Sequence, residues 1–255
     1  ATHINYFLKM KPNIRGNKLK GLFCGGAKLD ENSRKIFEKR FKIKIATNYG
    51  LTETSSIVSS ESLIKSDKKK GSVGKPLFNN IEKIKKFNKK NYGEIYTKGE
   101  NIFHKYLRDS IQTKKKIKNN WFYTGDLGYL DKDNFLFIKD RVDNMIIVSG
   151  ENIYPSEVEN YLYKFKEIKL GVVTSIKDNL TQNKLILIYE GEKNLDKNKF
   201  YKIISKYVSD FKIPKLIYHC SKINLKEIPK AQNKKILRNK LKNYILKNKK
   251  LIKKF

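Results

Sequence analysis

A few short stretches hold side chains able to do chemistry. In "NYGLTE", residues 48–53, Tyr49 offers an aromatic face for a purine, Thr52 a hydroxyl for a phosphate, and Glu53 a hard oxygen ligand suited to Mg²⁺. The same letters also suit an ordinary strand-end loop with a buried tyrosine. In "GLFCGGAKL", Gly25 and Gly26 either make a tight turn or let a flat ring lie against bare backbone. Asp126, between Gly125 and Leu127, either caps a turn or accepts two hydrogen bonds from a ribose diol. Taken singly, Arg141 and Asp143 read as an exposed ion pair of little energetic worth. Lys235 reads as one solvent-facing cation among 57 Lys and Arg.

These residues need elements to hold them. From Leu19 to Ser56 the pattern is strand, glycine turn, helix, strand, loop, with Asp30 as helix N-cap, Phe37 and Phe41 as an i, i+4 apolar pair, and Ile43 alternating with Ile45. That is α/β grammar, and it sets "YGLTE" at the carboxyl end of a strand, where open sheets place ligands. From about Lys68 the chain turns to short strands, with Asp133 and Asn134 in a hairpin turn. A buried strand follows over Met145 to Val148, then a helix opened by Pro155 with Val158, Leu162 and Phe165 on one face. Strands at "KLGVVTSI", "KLILIYEG" and "KLIYHC" alternate with helices around Ile203, Ile204, Tyr207 and Val208 and through Leu237, Leu241 and Ile245; the tail "NKKLIKKF" reads as a solvated helix end. The expected fold class is therefore α/β plus α+β. Residues 1–140 form one domain, comprising an α/β segment (1–67) and a β-rich subdomain (68–140), and residues 141–255 a small α+β domain, joined near 141–144.

Composition sets bounds on what such a chain does. The 39% hydrophobic content over 255 residues suffices for buried cores and excludes a disordered chain. A net charge of +32 raises nucleic acid or an anionic membrane as partner. The lysines, however, are spread evenly and the aromatic residues do not interleave with them as a stacking surface requires, which argues against nucleic acid. Cys24 and Cys220 lie far apart without metal-ligand spacing, as expected in a reducing cytoplasm, and no apolar run is long enough for a membrane span.

Order and spacing go further than any single residue. The stretches "GGAKL", "NYGLTET", "GSVGKPL", "GEIYTKGENIFHKYL", "WFYTGDLGYLD", "DRVDNMIIVSGENIYPSEVE" and "IPKAQNKKILRNKL" occur in the order found in the adenylate-forming superfamily, which the sequence resembles over nearly its whole length. That superfamily includes acyl- and aryl-CoA synthetases and the adenylation domains of peptide synthetases. The resemblance implies that Gly25, Gly26, Ala27, Asn48, Tyr49 and Gly50 border adenine and the acyl pocket. It gives Thr52 the phosphate, Glu53 the Mg²⁺, and Asp126 and Arg141 the ribose. Asp143 matches the hinge about which the small domain turns, Ser149, Gly150 and Glu151 the path of the CoA thiol, and Lys235 the lysine that catalyses adenylate formation. The implied cofactors and substrates are ATP, Mg²⁺, CoA and a carboxylic acid.

"SGENIYPSEVE" is similar to the acyl-CoA synthetases, which points to free CoA rather than a carrier protein as acceptor; a carrier-acylating enzyme and a non-catalytic basic module are the alternatives. Against the family pattern, Lys105, Asp140 and Lys234 stand where glycines are usual. The loop ending in Pro-Lys that cradles the outer phosphates is not found, so the resemblance implies the C-terminal portion of a longer enzyme, with a missing N-terminal portion as its partner.

Overall fold

The computed structural model describes residues 2–10, 18–26, 29, 31–64, 68–77, 80–86, 91–178, 180–232, 235–248 and 252. Contacts divide the chain into two units, residues 1–142 and 143–255.

In the first unit, helix α1 (Thr2–Met10) precedes strand β1 (Gly21–Cys24), helix α2 (Glu31–Phe41) and strand β2 (Lys44–Tyr49). β1 and β2 pair in parallel, with α2 as the crossover that parallel neighbours need. The Phe37 and Phe41 rings lie 4.7 Å apart and pack with Ile43 and Ile45 in one buried cluster, which seats α2 on the sheet. Arg34 of α2 is buried and bridges to Glu61 at 2.9 Å, and Glu61 in turn accepts from the Thr47 amide and hydroxyl. Asp30, the expected helix cap, lies outside the described residues. Two short strands, β3 (Ser59–Ser60) and β4 (Lys75–Pro76), extend this sheet in the order β1-β2-β3-β4.

A second sheet follows. It contains β5 (Asn80–Lys86), β6 (Gly93–Gly99), a short helix α3 (Ser110–Lys116), β7 (Ile117–Lys118), β8 (Trp121–Leu130) and β9 (Leu136–Arg141), with strand order β5-β6-β8-β7 and β9 beside β8. The β8–β9 hairpin turns through Asp131–Asn134, where Asp131 accepts from the amides of Asp133 and Phe135 and Asn134 takes φ of +62°. On one face of this sheet Tyr96 stacks on Tyr123 at 5.3 Å and meets Trp121 edge-on at 5.0 Å. Lys83 lies over Trp121, and Lys85 and Lys118 over Tyr123. Aromatic and basic residues therefore do interleave here, contrary to the sequence reading. They come from different strands, and only the two-residue period of a sheet brings them to one face.

The second unit begins with a hairpin of β10 (Ile146–Val148) and β11 (Glu151–Ile153), then α4 (Ser156–Glu159), β12 (Ile168–Asp178), β13 (Gln182–Gly191), α5 (Lys197–Ile204), β14 (Leu216–His219) and α6 (Arg238–Lys247). β12, β13 and β14 form a three-stranded sheet with a core on each face. Val173, Leu185 and Leu187 face Phe200 and Ile204 of α5, while Val172, Ile186 and Ile188 face Leu241 and Ile245 of α6. Strict alternation along β13 supplies both layers.

Several local expectations need correction. Met145–Val148 is not a buried strand: Met145 and Ile147 are 37% and 39% exposed, because a two-stranded ribbon buries one face only. The helix expected from Pro155 through Phe165 is an α turn followed by a 3₁₀ turn at Leu162–Lys164. Asn160, a poor helix residue, closes the first, and Val158, Leu162 and Phe165 still reach one core because both turn types bring every third or fourth residue round. α5 ends at Ile204, before Tyr207 and Val208. The tail is not wholly solvated, since Ile252 is buried and its carbonyl accepts from Tyr218 Oη at 2.8 Å. Both cysteines are buried, and burial pushes the Cys220 thiol up to about 11.

Candidate functional site

The Thr52–Thr54 turn follows β2 directly, so the sheet delivers Tyr49 and the loop delivers Glu53. Thr54 is fully buried and its hydroxyl is consumed within the loop, donating to Leu51 O and accepting from Leu51 N. Thr52 is left exposed, and it alone of the two threonines presents a hydroxyl outward. The segment after β6 then straps the loop down. Asn101 Nδ2 donates to Thr54 O, Phe103 N to Glu53 O and Tyr106 Oη to Glu53 Oε1, each at 2.9 Å. Burial first, then the Glu53 carboxylate, pushes the Tyr106 phenol up to about 12, so it stays a donor.

Register explains the spacing from Asp126 to Arg141. The two residues stand opposite each other on β8 and β9, and Arg141 Nη1 donates to Asp126 Oδ1 at 3.1 Å. Tyr49 Oη donates to Asp126 Oδ2 at 2.7 Å. Burial and the adjacent carboxylate raise the Tyr49 phenol well above its ordinary range, which again fixes it as a donor. Tyr49 and Asp126, far apart in sequence, thus share one hydrogen bond. Asp126 is no turn cap: it sits within β8, buried, with its carboxylate held from two sides.

Glu53 and Arg141 line a cleft of about 360 Å³ together with Leu51, Tyr106, Asp109, Gln112, Lys116, Phe122 and Thr124. Tyr106, Lys116 and Thr124 were not singled out from the sequence. "TGD" and the "Y" of "HKYL" were visible signals for two of them, but Lys116 closes a run of three lysines and nothing local separates it from Lys114 and Lys115. Gly25 and Asn48 meet at the ends of β1 and β2, where a Cβ on Gly25 would lie 1.9 Å from Asn48 Oδ1 and would push that amide aside. Gly26 and Gly50 follow the same strand ends. Ala27 lies outside the described residues.

As a metal ligand Glu53 is well disposed. One oxygen accepts from Tyr106, and no described residue hydrogen-bonds to the other. Among the described residues no group of three or more His, Cys, Asp and Glu could hold a metal. A single carboxylate of this kind suits Mg²⁺ shared with substrate phosphates, not an ion caged by protein alone.

The second unit carries the other predicted residues. Asp143 lies in the 3₁₀ turn Val142–Asn144, beside the division between the units. Ser149 and Gly150 form the two-residue turn between β10 and β11, both with positive φ, and Glu151 starts β11. A Cβ on Gly150 would meet nothing within 4 Å, so its glycine answers to the turn's backbone. Asn183 Nδ2 donates to Ile147 O, and the Ser149 amide to Thr181 O, which pins this hairpin to the turn before β13. Lys235 is exposed in a loop closed by a bridge between Lys230 and Ile236, its carbonyl accepting from Ala231 N. Lys234 lies outside the described residues. Arg238, just beyond, pairs with Glu159, which also accepts from Val173 N, and so fixes where the loop rejoins the sheet.

Residues 2–107 match the family described as AMP-binding enzyme. A 2-succinylbenzoate–CoA ligase of Geobacillus sp. (strain WCH70) is 35% identical over 213 residues, 81% of this chain and 42% of the relative. A ligase of the same name from Listeria monocytogenes serovar 1/2a is 32% identical over 231 residues, 91% of this chain and 46% of the relative. Among solved structures, o-succinylbenzoate CoA synthetase from Bacillus subtilis in complex with the acyl-adenylate intermediate superposes with a TM-score of 0.84 at 28% identity, covering 94% of this chain and 49% of that one. The same enzyme with ATP and magnesium ion gives 0.82. The chain thus spans half the length of these relatives or less.

Proposed function

Because the chain belongs to the AMP-binding enzyme family, we propose that it is part of an ATP-dependent acid:CoA ligase. The reaction has two halves. A carboxylate attacks the α-phosphorus of ATP, giving an acyl adenylate and pyrophosphate. The CoA thiol then attacks the mixed anhydride, giving the thioester, AMP and a proton. We assign 2-succinylbenzoate as the acid, because relatives at 32–35% identity carry that name.

The observation that carries this reading is the Tyr49–Asp126–Arg141 network beside the Glu53 cleft. It joins side chains from β2, β8 and β9 that the family pattern assigns to one nucleotide. Asp126 would accept from the ribose hydroxyls with lone pairs that Tyr49 and Arg141 leave over, since each carboxylate oxygen can accept twice. Tyr49, its hydroxyl anchored, would present its ring to adenine. Thr52 would donate to a phosphate oxygen. Mg²⁺, held by Glu53 and the phosphates, would offset charge that the carboxylate and phosphate both bring.

Lys235 would donate to the oxygen on which charge builds as the adenylate forms. For thioester formation the small unit would turn about Asp143, withdrawing Lys235 and bringing the Ser149–Glu151 turn toward the thiol path. Free CoA, not a carrier protein, is the acceptor in this reading.

The roles separate kinetically. In the protein that carries this chain, Lys235→Ala should lower acid-dependent pyrophosphate release by roughly a hundred- to a thousandfold, while thioester formation from preformed acyl adenylate survives. An equal fall in both half-reactions would refute the assignment. A panel of acids with and without the succinyl arm tests the substrate.

A further inference from the structure

One cation in the cleft has no role in the scheme above. Lys116 ends α3, and unlike its exposed neighbours Lys114 and Lys115 it is half-buried and lines the cleft. Its Nζ lies 3.0 Å from where a Cβ on Gly125 would stand, and Arg141 Nη2 lies 3.1 Å from the same point. Two positive groups therefore converge on one spot beside Asp126. Arg141 has a carboxylate there. Lys116 has none: among the described residues it makes no ion pair, while Glu53 is engaged by Tyr106 and Asp109 Oδ1 by the Gln112 amide.

Like charges so close repel unless an anion lies between them. Gly125 has no side chain to come between the two groups, and both line the cleft, from which a ligand can reach them. Resting on the nucleotide reading above, we propose that Lys116 is a phosphate-binding residue which, with Arg141, clamps the phosphate chain of the bound nucleotide. A phosphate suits the place better than the carboxylate of the acid substrate. It carries more charge and several acceptor oxygens for two donors arriving from different elements, and the residue next to Gly125 is the one assigned to the ribose.

Calorimetric titration of the chain with AMP, adenosine and 2-succinylbenzoate tests this, with circular dichroism confirming that each variant is folded. Lys116→Met keeps the aliphatic stem and should weaken AMP about tenfold, the effect of losing one charge-assisted hydrogen bond. Adenosine should bind as before, and Lys116→Arg should hold AMP within about twofold of the parent because its fork also reaches phosphate. An unchanged AMP affinity in Lys116→Met overturns the inference and leaves the nucleotide reading standing. An equal loss for adenosine makes Lys116 structural, and a loss confined to 2-succinylbenzoate assigns it to the acid; either result overturns the inference. If the parent chain binds neither AMP nor adenosine, both readings fall together.

Discussion

β8 serves two dissimilar surfaces. On one side Phe122 and Thr124 line the cleft with Glu53, Lys116 and Arg141. On the other, Trp121 and Tyr123 lie under Lys83, Lys85 and Lys118. Both surfaces are basic, yet the proposed reading places a ligand on only one. The lysines of the aromatic face rest on π-faces, a contact worth about 0.5–1 kcal/mol when exposed, and they already cover the rings that a base would stack upon. The cleft instead gathers donors and acceptors that are held by neighbours and point at a common space. A net charge of +32 cannot tell these surfaces apart. Partners at atomic distance can.

The largest expected effect concerns the side of the sheet that carries Phe122. Glu82 stands opposite Thr97 across β5 and β6, both are buried, and neither Glu82 oxygen nor Thr97 Oγ1 has a hydrogen-bond partner among the described residues. Burial raises the Glu82 carboxyl from 4.5 to about 8. Between those values the folded chain keeps a proton that the unfolded chain has released, so stability falls as pH rises through that window and levels off above it. Urea unfolding of Glu82→Gln should be flatter with pH, and at the upper end of the window the variant should be more stable by at most about 4 kcal/mol. A variant with the parent's slope would mean that Glu82 is not the group responsible.

Next comes Asp126→Asn. The amide can receive from Arg141 or Tyr49 with one oxygen only, so AMP affinity should fall roughly thirty- to a hundredfold, as measured by calorimetry, with some loss of thermal stability. If affinity holds, the two anchors do not orient a ribose acceptor. A smaller change is expected for Tyr106→Phe. It removes one hydrogen bond from Glu53 and should cost a few-fold in Mg²⁺-dependent ATP binding, with no change in Mg²⁺-free AMP binding. Smallest of all, Lys83→Met with Lys85→Met should leave AMP binding within error. A marked loss there would move nucleotide recognition to the aromatic face and erase the contrast between the two sides.

Much of this was legible in the sequence, for reasons that differ by residue. The α2 crossover followed from Phe37, Phe41, Ile43 and Ile45, whose spacing switches from helical to alternating where the structure does. The β8–β9 hairpin followed from Asp133 and Asn134, and that turn puts Asp126 opposite Arg141. The Tyr49–Asp126 bond was not legible, since it joins two sheets whose packing no local pattern states. The strap from Asn101 to Tyr106 was hidden in the same way: its letters were visible, but not its target, Glu53. Lys116 was masked by Lys114 and Lys115. The break in the helix at Asn160 escaped because Val158, Leu162 and Phe165 satisfy a helical period whether or not the helix is continuous.

The central claim is that adenine meets this chain at the ends of β1 and β2, beside Tyr49. Photolabelling with 8-azidoadenosine monophosphate, followed by peptide mass spectrometry, tests it most directly. The account predicts labelling concentrated on the peptides holding Gly25–Gly26 and Asn48–Gly50, suppressed by excess AMP and greatly reduced in Asp126→Asn. Labelling spread over the lysine-rich peptides of β5 and β7, and indifferent to Asp126→Asn, would contradict it.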